Sequence, residues 1–322
     1  MGYKILLPQD IHHCGKEYLS SKGYEIKHGT GLTREEMMSD AIDCHAILAR
    51  TARIPREVMV AGKKIKVIAR HGVGVDNIDC KAAGELGICV TNAPESNANS
   101  VAEHAMALIT GISKNIIVQD NAVRQNRFEN RNQLLSWDLE GKTLSIIGLG
   151  RIGKIVAKKG IYGFGMKVIG YDPYIKREQI PEDIELVTDW EEMFMRSDFV
   201  SMHLPCTEET KGIIGQKEFE LMKSTAYFIN VSRGEVVKEG ELFEALKNKT
   251  ISGAAIDVFE TEPPEKNNPL FTLNNIILSP HNAAITHEAM ERMALHAAMG
   301  IDDVLNGRKP KWPVVCPENI RL

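Results

Sequence analysis

Residues 143–153 read TLSIIGLGRIG, an apolar run of strand length that passes into three glycines and then into a helix-compatible stretch, RIGKIVAKKG. This junction constrains the chain more than any other segment. Gly148 permits a tight turn, Gly150 leaves the backbone open to a pyrophosphate, and Gly153 lets helix and strand pack closely. The first turn of such a helix offers unpaired amides and the positive end of its dipole to anions. Asp172 closes the next apolar run, KVIGYD, about 20 residues beyond the glycines, where a carboxylate accepts hydrogen bonds from a ribose diol. It also repels a 2′-phosphate, so the pattern predicts a dinucleotide site that favours NAD over NADP. A strand-ending Asp-Pro turn explains the YDPY segment by itself, but not strand, glycines, helix and carboxylate in register.

The motif lies near the middle of 322 residues, a length that suggests two domains. Apolar runs at 3–8, 46–50, 65–70 and 87–93 alternate with helix-compatible stretches such as PREVMVAGKK (55–64), with Pro55 in its first turn. Six runs follow at 143–150, 167–172, 198–205, 227–232, 253–259 and 275–280, the number a dinucleotide-binding sheet requires. Between the two sets, Val101, Ala105, Leu108, Ile109, Ile112 and Ile116 recur at helical spacing and predict one helix over 100–125, with Gly111 inside it. A last helix over 286–305 is expected to return to the first domain. The expected fold class is α/β. It comprises two doubly wound parallel-sheet domains: a flavodoxin-like lobe from 1–98 with 285–322, and a Rossmann lobe from 99–284. The two crossings, near Asn97–Ser100 and Ala284–His287, are expected to act as a hinge between an open and a closed form.

Bulk properties exclude several classes. The net charge of -4 gives no reason to expect nucleic acid or an anionic membrane as partner. No run approaches the roughly 18 apolar residues of a membrane span. The N-terminal apolar run is interrupted by Pro8 and Asp10, too early for a signal peptide, and Leu6 stands where a myristoylation motif wants Ser or Thr. Six cysteines are scattered without a CxxC pair, so neither zinc nor a disulfide framework is suggested, and the expected compartment is the cytosol. His12-His13 and His287-Glu288 lack partners at metal-ligand spacing, and no metal is expected.

Three polar residues each follow an apolar strand, where open α/β sheets bind ligands: Arg233 after YFINVS, Glu262 after GAAIDVF and His281 after NIILSP. Hydride transfer to a ketone needs a proton donor for the developing alkoxide, and imidazolium donates near neutral pH. A carboxylate on the far side of the ring orients the histidine and favours its charged form. A guanidinium binds a carboxylate and polarises the neighbouring carbonyl. Together these groups suit reduction of a 2-oxo acid, although each also reads as an ordinary loop residue at a sheet edge.

The motifs GLGRIG, INVSRGEVV (229–237), AAIDVFETEPP (254–264) and LSPHNAA (278–284), with HGVGVDNID (71–79) and NAPESNANSVAEH (92–104), resemble the D-isomer-specific 2-hydroxyacid dehydrogenase family over nearly the whole chain. The resemblance implies Arg233 as the substrate-binding arginine, His281 as the acid/base and Glu262 as its partner. It implies cofactor contacts at Arg151, Ile152, Asp172, Thr207, Val231, Arg233 and Asp257, and a substrate carboxylate held by backbone amides around Val73 and Gly74. It also implies a site in the cleft between the lobes. The YDPY ending and the VGVDNID loop look most like 3-phosphoglycerate dehydrogenases, here with no C-terminal regulatory domain expected. His71, Asn282 and Ala283 depart from that pattern. Arg50, Arg53 and Arg70 could neutralise a substrate phosphate or simply be surface charge. A glyoxylate or hydroxypyruvate reductase, and an NAD(H)-sensing binding protein like the C-terminal-binding corepressors, remain alternatives. Apolar residues Leu134, Leu135 and Trp137 on a projecting arm predict a homodimer built on the cofactor domain, as the resemblance also implies.

Overall fold

The computed structural model describes residues 2–321. They form two compact units, one running to Asn97 and resuming at Ala284, the other spanning Ala98–Ala283. In chain order the first unit supplies β1 (Lys4–Leu7), β2 (Glu25–His28), β3 (Ala46–Ala49), β4 (Val67–Arg70) and β5 (Cys89–Thr91). The second supplies β6 (Thr143–Ile147), β7 (Lys167–Tyr171), β8 (Ile184–Leu186), β9 (Phe199–Met202), β10 (Tyr227–Asn230), β11 (Gly253–Ile256) and β12 (Ile276–Leu278). Finally β13 (Pro313–Val315) belongs to the first unit again.

The first unit's sheet has the order β2-β1-β3-β4-β5-β13. Its first five strands are parallel and follow the flavodoxin-like order. Helices cover both faces, which is why β1, β3 and β4 are nearly continuous apolar runs. Leu6, Ile47, Ile68 and Val90 face Met37, Val58, Met59 and Ala82 on one side. Ile5, Leu7, Leu48 and Cys89 face Leu19 and the Ala294, Ala297, Ala298 and Ile301 stripe of helix His287–Leu305 on the other. The sheet departs from the wholly parallel expectation at one edge, where β13 pairs antiparallel with β5. Its proline opens the strand at an edge, where the missing N–H does no harm. Pro55 is the N-cap of helix Arg56–Ala61 rather than part of its first turn.

The second unit's sheet, β8-β7-β6-β9-β10-β11-β12, is parallel throughout. It has the six expected strands and one more, β8, a three-residue edge strand too short and too charged to stand out as an apolar run. Ile147, Val200, Met202, Phe228 and Ile256 form a core with Met193, Phe194, Phe219, Leu242 and Leu246 on one face. Helices Ala98–Ser113 and Arg151–Phe164 pack against each other, the first along β10 and β11 and the second along β6 and β7.

The single helix expected over 100–125 is two helices, Ala98–Ser113 and Ile116–Arg124. The break is at Asn115, whose φ of 54° is a left-handed conformation that asparagine tolerates better than most residues. Gly111 stays inside the first helix, against Ile277. Ile116, expected on the buried stripe, is exposed, as are Ile117, Val123 and Leu135, whereas Leu134 is half-buried. Among the described residues no helix is long and apolar enough to cross a membrane.

Candidate active site

Because the second unit's sheet is parallel, the loops that leave β6, β7, β9, β10, β11 and β12 all emerge at one edge, the edge where such sheets bind ligands. The glycine turn leaves β6. Gly148 has φ 97°, and a Cβ there would come within 2.6 Å of the His203 carbonyl oxygen. A Cβ on Gly153 would run into the Gly148 carbonyl, so this glycine is what lets helix Arg151–Phe164 start so close to its strand. Gly150 faces open space and is the N-cap of that helix, with no side chain capping the first-turn amides. Open backbone and uncapped amides fit a pyrophosphate. Arg151 is exposed and Ile152 half-buried in that first turn.

Asp172 leaves β7 and braces the turn: Oδ2 accepts from the Leu149 amide at 3.0 Å and Oδ1 from the Tyr174 amide at 3.0 Å. Each carboxylate oxygen has a second lone pair, so ribose hydroxyls can still bind. Thr207, beyond β9, is exposed in a turn in which its hydroxyl and that of Thr210 lie 3.1 Å apart. Val231 is buried just beyond β10.

The three candidate catalytic residues belong to this same unit. Arg233 follows β10, and its Nη1 donates to the Ser232 carbonyl at 2.8 Å. Asn230 builds the turn that presents it: Oδ1 accepts from the Ser232 amide at 3.0 Å and hydroxyl at 2.8 Å, and Nδ2 donates to the Arg233 carbonyl at 2.9 Å. Glu262, beyond β11, accepts from the Phe259 amide at 3.1 Å through Oε1. Its Oε2 lies 2.6 Å from Nδ1 of His281. Burial pushes the Glu262 carboxyl up, but the hydrogen bond and charge of His281, the Phe259 amide and the Arg233 charge outweigh it and hold the group below the usual range. Nδ1–H donating to a carboxylate leaves Nε2 for a substrate oxygen. His281 itself has φ 50°, an uncommon conformation for a residue with a side chain and one that tends to occur where function demands it.

What holds His281 in that conformation is Asp257, at the end of β11 and fully buried. Its Oδ1 accepts from the Ser279 hydroxyl at 2.6 Å and the Asn282 amide at 3.0 Å, and its Oδ2 from the Ala283 amide at 2.9 Å. Its carbonyl accepts from the His281 amide at 2.7 Å. His104 Nε2 joins the cluster 3.0 Å from the Ser279 hydroxyl. Sequence reading placed Asp257 at the cofactor; its carboxylate is occupied with the histidine loop. Neither Asn230 nor His104 is among the site residues expected from the sequence. The Asn-x-Ser spacing of an Asx turn could have flagged the first.

In the first unit, Val73 and Gly74 are half-buried in the loop after β4. Asn92 pins that loop, with Nδ2 donating to the Val73 carbonyl at 2.8 Å, and the Ala93 amide donates to the Gly72 carbonyl at 2.8 Å. Arg50 donates to the Asp10 carbonyl at 2.8 Å, Arg70 donates to the His71 carbonyl, and Arg53 is exposed. His71 is buried beside Arg50 and Arg70, and burial followed by those two charges pushes its imidazole down to about 3.

Residues 106–283 match the model of the D-isomer specific 2-hydroxyacid dehydrogenase NAD binding domain. The chain belongs to this family. It is 42% identical over 306 residues to a D-3-phosphoglycerate dehydrogenase of Methanocaldococcus jannaschii, covering 94% of this chain and 58% of that protein. It is 41% identical over 320 residues to a glyoxylate reductase of Thermococcus litoralis, covering 96% of each. The chain thus spans somewhat more than half the length of the phosphoglycerate dehydrogenases it matches. A crystal structure of a glyoxylate reductase from Paecilomyes thermophila superposes with a TM-score of 0.88 at 29% identity, covering 97% of this chain and 98% of that one. A protein from Thermus thermophilus superposes with a TM-score of 0.90 at 32% identity, covering 97% and 100%.

Proposed function

We propose that this chain is an NAD-dependent D-2-hydroxyacid dehydrogenase interconverting a small 2-oxo acid and its 2-hydroxy acid. The observation that carries the reading is the 2.6 Å contact of Glu262 with His281, on the same sheet edge as the glycine turn and Arg233. In this reading Arg233 binds the substrate carboxylate and draws electron density from the 2-oxo carbon. Amides around Val73 and Gly74 share the carboxylate. His281, held by Glu262, gives its Nε2 proton to the alkoxide oxygen as it forms, and takes it back in the oxidative direction. The bound nicotinamide supplies or accepts the hydride. Gly150, Arg151 and Ile152 are assigned to the pyrophosphate, Asp172 to the ribose, and Thr207 and Val231 to the rest of the cofactor.

Two substrates are favoured by different observations. Arg50 and Arg70, both close enough to His71 for their charges to act on it, support a phosphorylated acid such as 3-phosphoglycerate. The end-to-end match to a glyoxylate reductase supports glyoxylate or hydroxypyruvate. A homodimer is part of the proposal, supported by the exposed apolar Leu135 and Trp137 and by Ile116, Ile117 and Val123 of helix Ile116–Arg124. Following NADH absorbance with glyoxylate, hydroxypyruvate and 3-phosphohydroxypyruvate tests the reading and chooses between substrates. Tight NADH binding with no turnover of any 2-oxo acid would overturn it in favour of a nicotinamide-sensing binding protein.

A further inference from the structure

The first unit brings together two cysteines, Cys89 and Cys316, that lie far apart in the sequence. The antiparallel register of β13 on β5 sets Val315 opposite Val90. The register is irregular between Pro313 and Val315, and Cys316 is the first residue beyond β13, leaving the Val315–Val90 pair toward the end of β5 that holds Cys89. The pleat agrees. Val90 and Val315 both pack on one face of the sheet, with Ala82 and Ala83. Cys89 belongs to the other face, against the helix His287–Leu305. Successive side chains alternate, so Cys316 is directed to the face of Cys89. Cys316 is close enough to Cys89 to act on its thiol. Directly opposed residues of an antiparallel pair have Cβ atoms about 4.5–5.5 Å apart, only slightly wider than the roughly 3.5–4.5 Å of a disulfide, so a small shift of an edge strand suffices.

We propose that Cys89 and Cys316 form a reversible disulfide, fastening β13 to β5, when the chain meets a small-molecule disulfide of the glutathione class. Cys316 is exposed and Cys89 is fully buried, so the order of events follows. The Cys316 thiolate attacks the small disulfide, RSSR, forming Cys316–S–S–R and releasing one RS⁻. Cys89 then gives up its proton and attacks the Cys316 sulfur, releasing the second RS⁻. The sum is two cysteine thiols and RSSR giving one protein disulfide and two RSH. Burial, and next to it the neighbouring Cys316, pushes the Cys89 thiol up to about 12, which makes the second step the slow one. The bond would tie down a three-residue strand at the sheet's open edge.

The test treats the reduced, full-length protein with oxidised glutathione under native conditions. The expected result is that the six free thiols fall by two, the mass falls by two hydrogens, and peptide mapping finds Cys89 joined to Cys316. Native cleavage after Lys311 should leave the C-terminal peptide attached until a reductant is added. Cys316→Ser should leave Cys89 reduced, and Cys89→Ser should leave Cys316 carrying a stable glutathione. A wild-type chain that stops at glutathionylated Cys316 with Cys89 intact, that pairs either cysteine elsewhere, or that does not react at all, overturns the proposal. If Cys89→Ser fails to fold, the surface variant Cys316→Ser and the wild-type map decide it alone.

Discussion

Gly234 lies against the carbonyl of Phe259, so closely that a Cβ on it would come within 1.8 Å of the oxygen. The loop carrying Arg233 and the loop leading to Glu262 are thereby packed backbone to backbone. Gly234→Ala is expected to destabilise the protein by about 1–3 kcal/mol, the range for forced overpacking. It should also raise KM for the oxo acid, since Arg233 must move with its loop. Denaturant unfolding and steady-state kinetics check both, and a variant with wild-type stability and KM would show the two loops to be independent.

The Glu262–His281 contact separates proton chemistry from binding. His281→Gln should lower turnover by at least about a hundredfold, the lower end of what a general acid contributes, with NADH affinity retained. Glu262→Gln removes the charge that the imidazolium faces, so reduction should reach its acid-side plateau only at lower pH. Fluorescence titration with NADH and a pH–rate profile measure these effects. A Glu262→Gln profile superimposable on the wild type would mean that the pair does not act as a unit.

Cofactor choice is assigned to Asp172. Asp172→Asn keeps an acceptor for one of the two backbone amides, of Leu149 or Tyr174, and removes the charge that opposes a 2′-phosphate. The NADH-over-NADPH preference should narrow by about tenfold, equivalent to about 1.4 kcal/mol. Comparing kcat/KM for the two cofactors in both proteins decides it. A wild-type chain equally active with NADPH would remove the basis for the assignment.

How much of this was legible in the sequence depends on how local each cause is. The glycine turn, Asp172 and the strands β6, β7, β9, β10, β11 and β12 declare themselves through contiguous residues: an apolar run, then glycine or a polar group. Three of the four edge strands do not. Of β2, β8 and β13, the last two are only three residues long, and β2 is half exposed, so none makes an apolar run. The helix break at Asn115 was hidden because apolar spacing continues through it; one left-handed residue, not a breaker, divides the helices. Asp257 bonds to residues 22 to 26 positions further on, and the pairing of β13 with β5 joins segments more than about 220 positions apart; such relations exist only once the sheets have formed.

His71 should make the first unit acid-sensitive. Its folded value near 3 lies below that of an exposed histidine, about 6.5, so the unfolded chain binds the proton more readily. The neutral ring therefore leaves stability unchanged above about pH 6.5, and stability falls as the pH drops from there toward 3. Arg50 and Arg70, the charges beside it, push the same way. Between pH 8 and pH 5 the wild type should lose up to about 2 kcal/mol more than His71→Ala, at about 1.4 kcal/mol for each unit below 6.5. Taking the pH difference within each protein cancels the cavity that alanine leaves. Equal losses in the two proteins would place the proton elsewhere.

Asp257 tests whether the conformation of His281 is imposed by its surroundings. The buried carboxylate accepts from the Ser279 hydroxyl and from the amides of Asn282 and Ala283, with donors on both oxygens. Asparagine is nearly the same size, but one of its two positions is an NH₂ group, a donor facing a donor. Whichever way the amide is turned, at least one backbone N–H loses its acceptor in a place water does not reach, at about 1–3 kcal/mol. The loop can recover that bond only by moving, and moving it releases His281 from φ 50° and from Glu262. Asp257→Asn is therefore expected to lose stability and turnover together, while Asp257→Glu, which keeps the charge but is longer, displaces the loop without leaving a donor facing a donor. Unfolding free energies and kcat for both variants check this. An Asp257→Asn protein within about 0.5 kcal/mol of the wild type, with unchanged kcat, would show that the His281 loop holds its own shape.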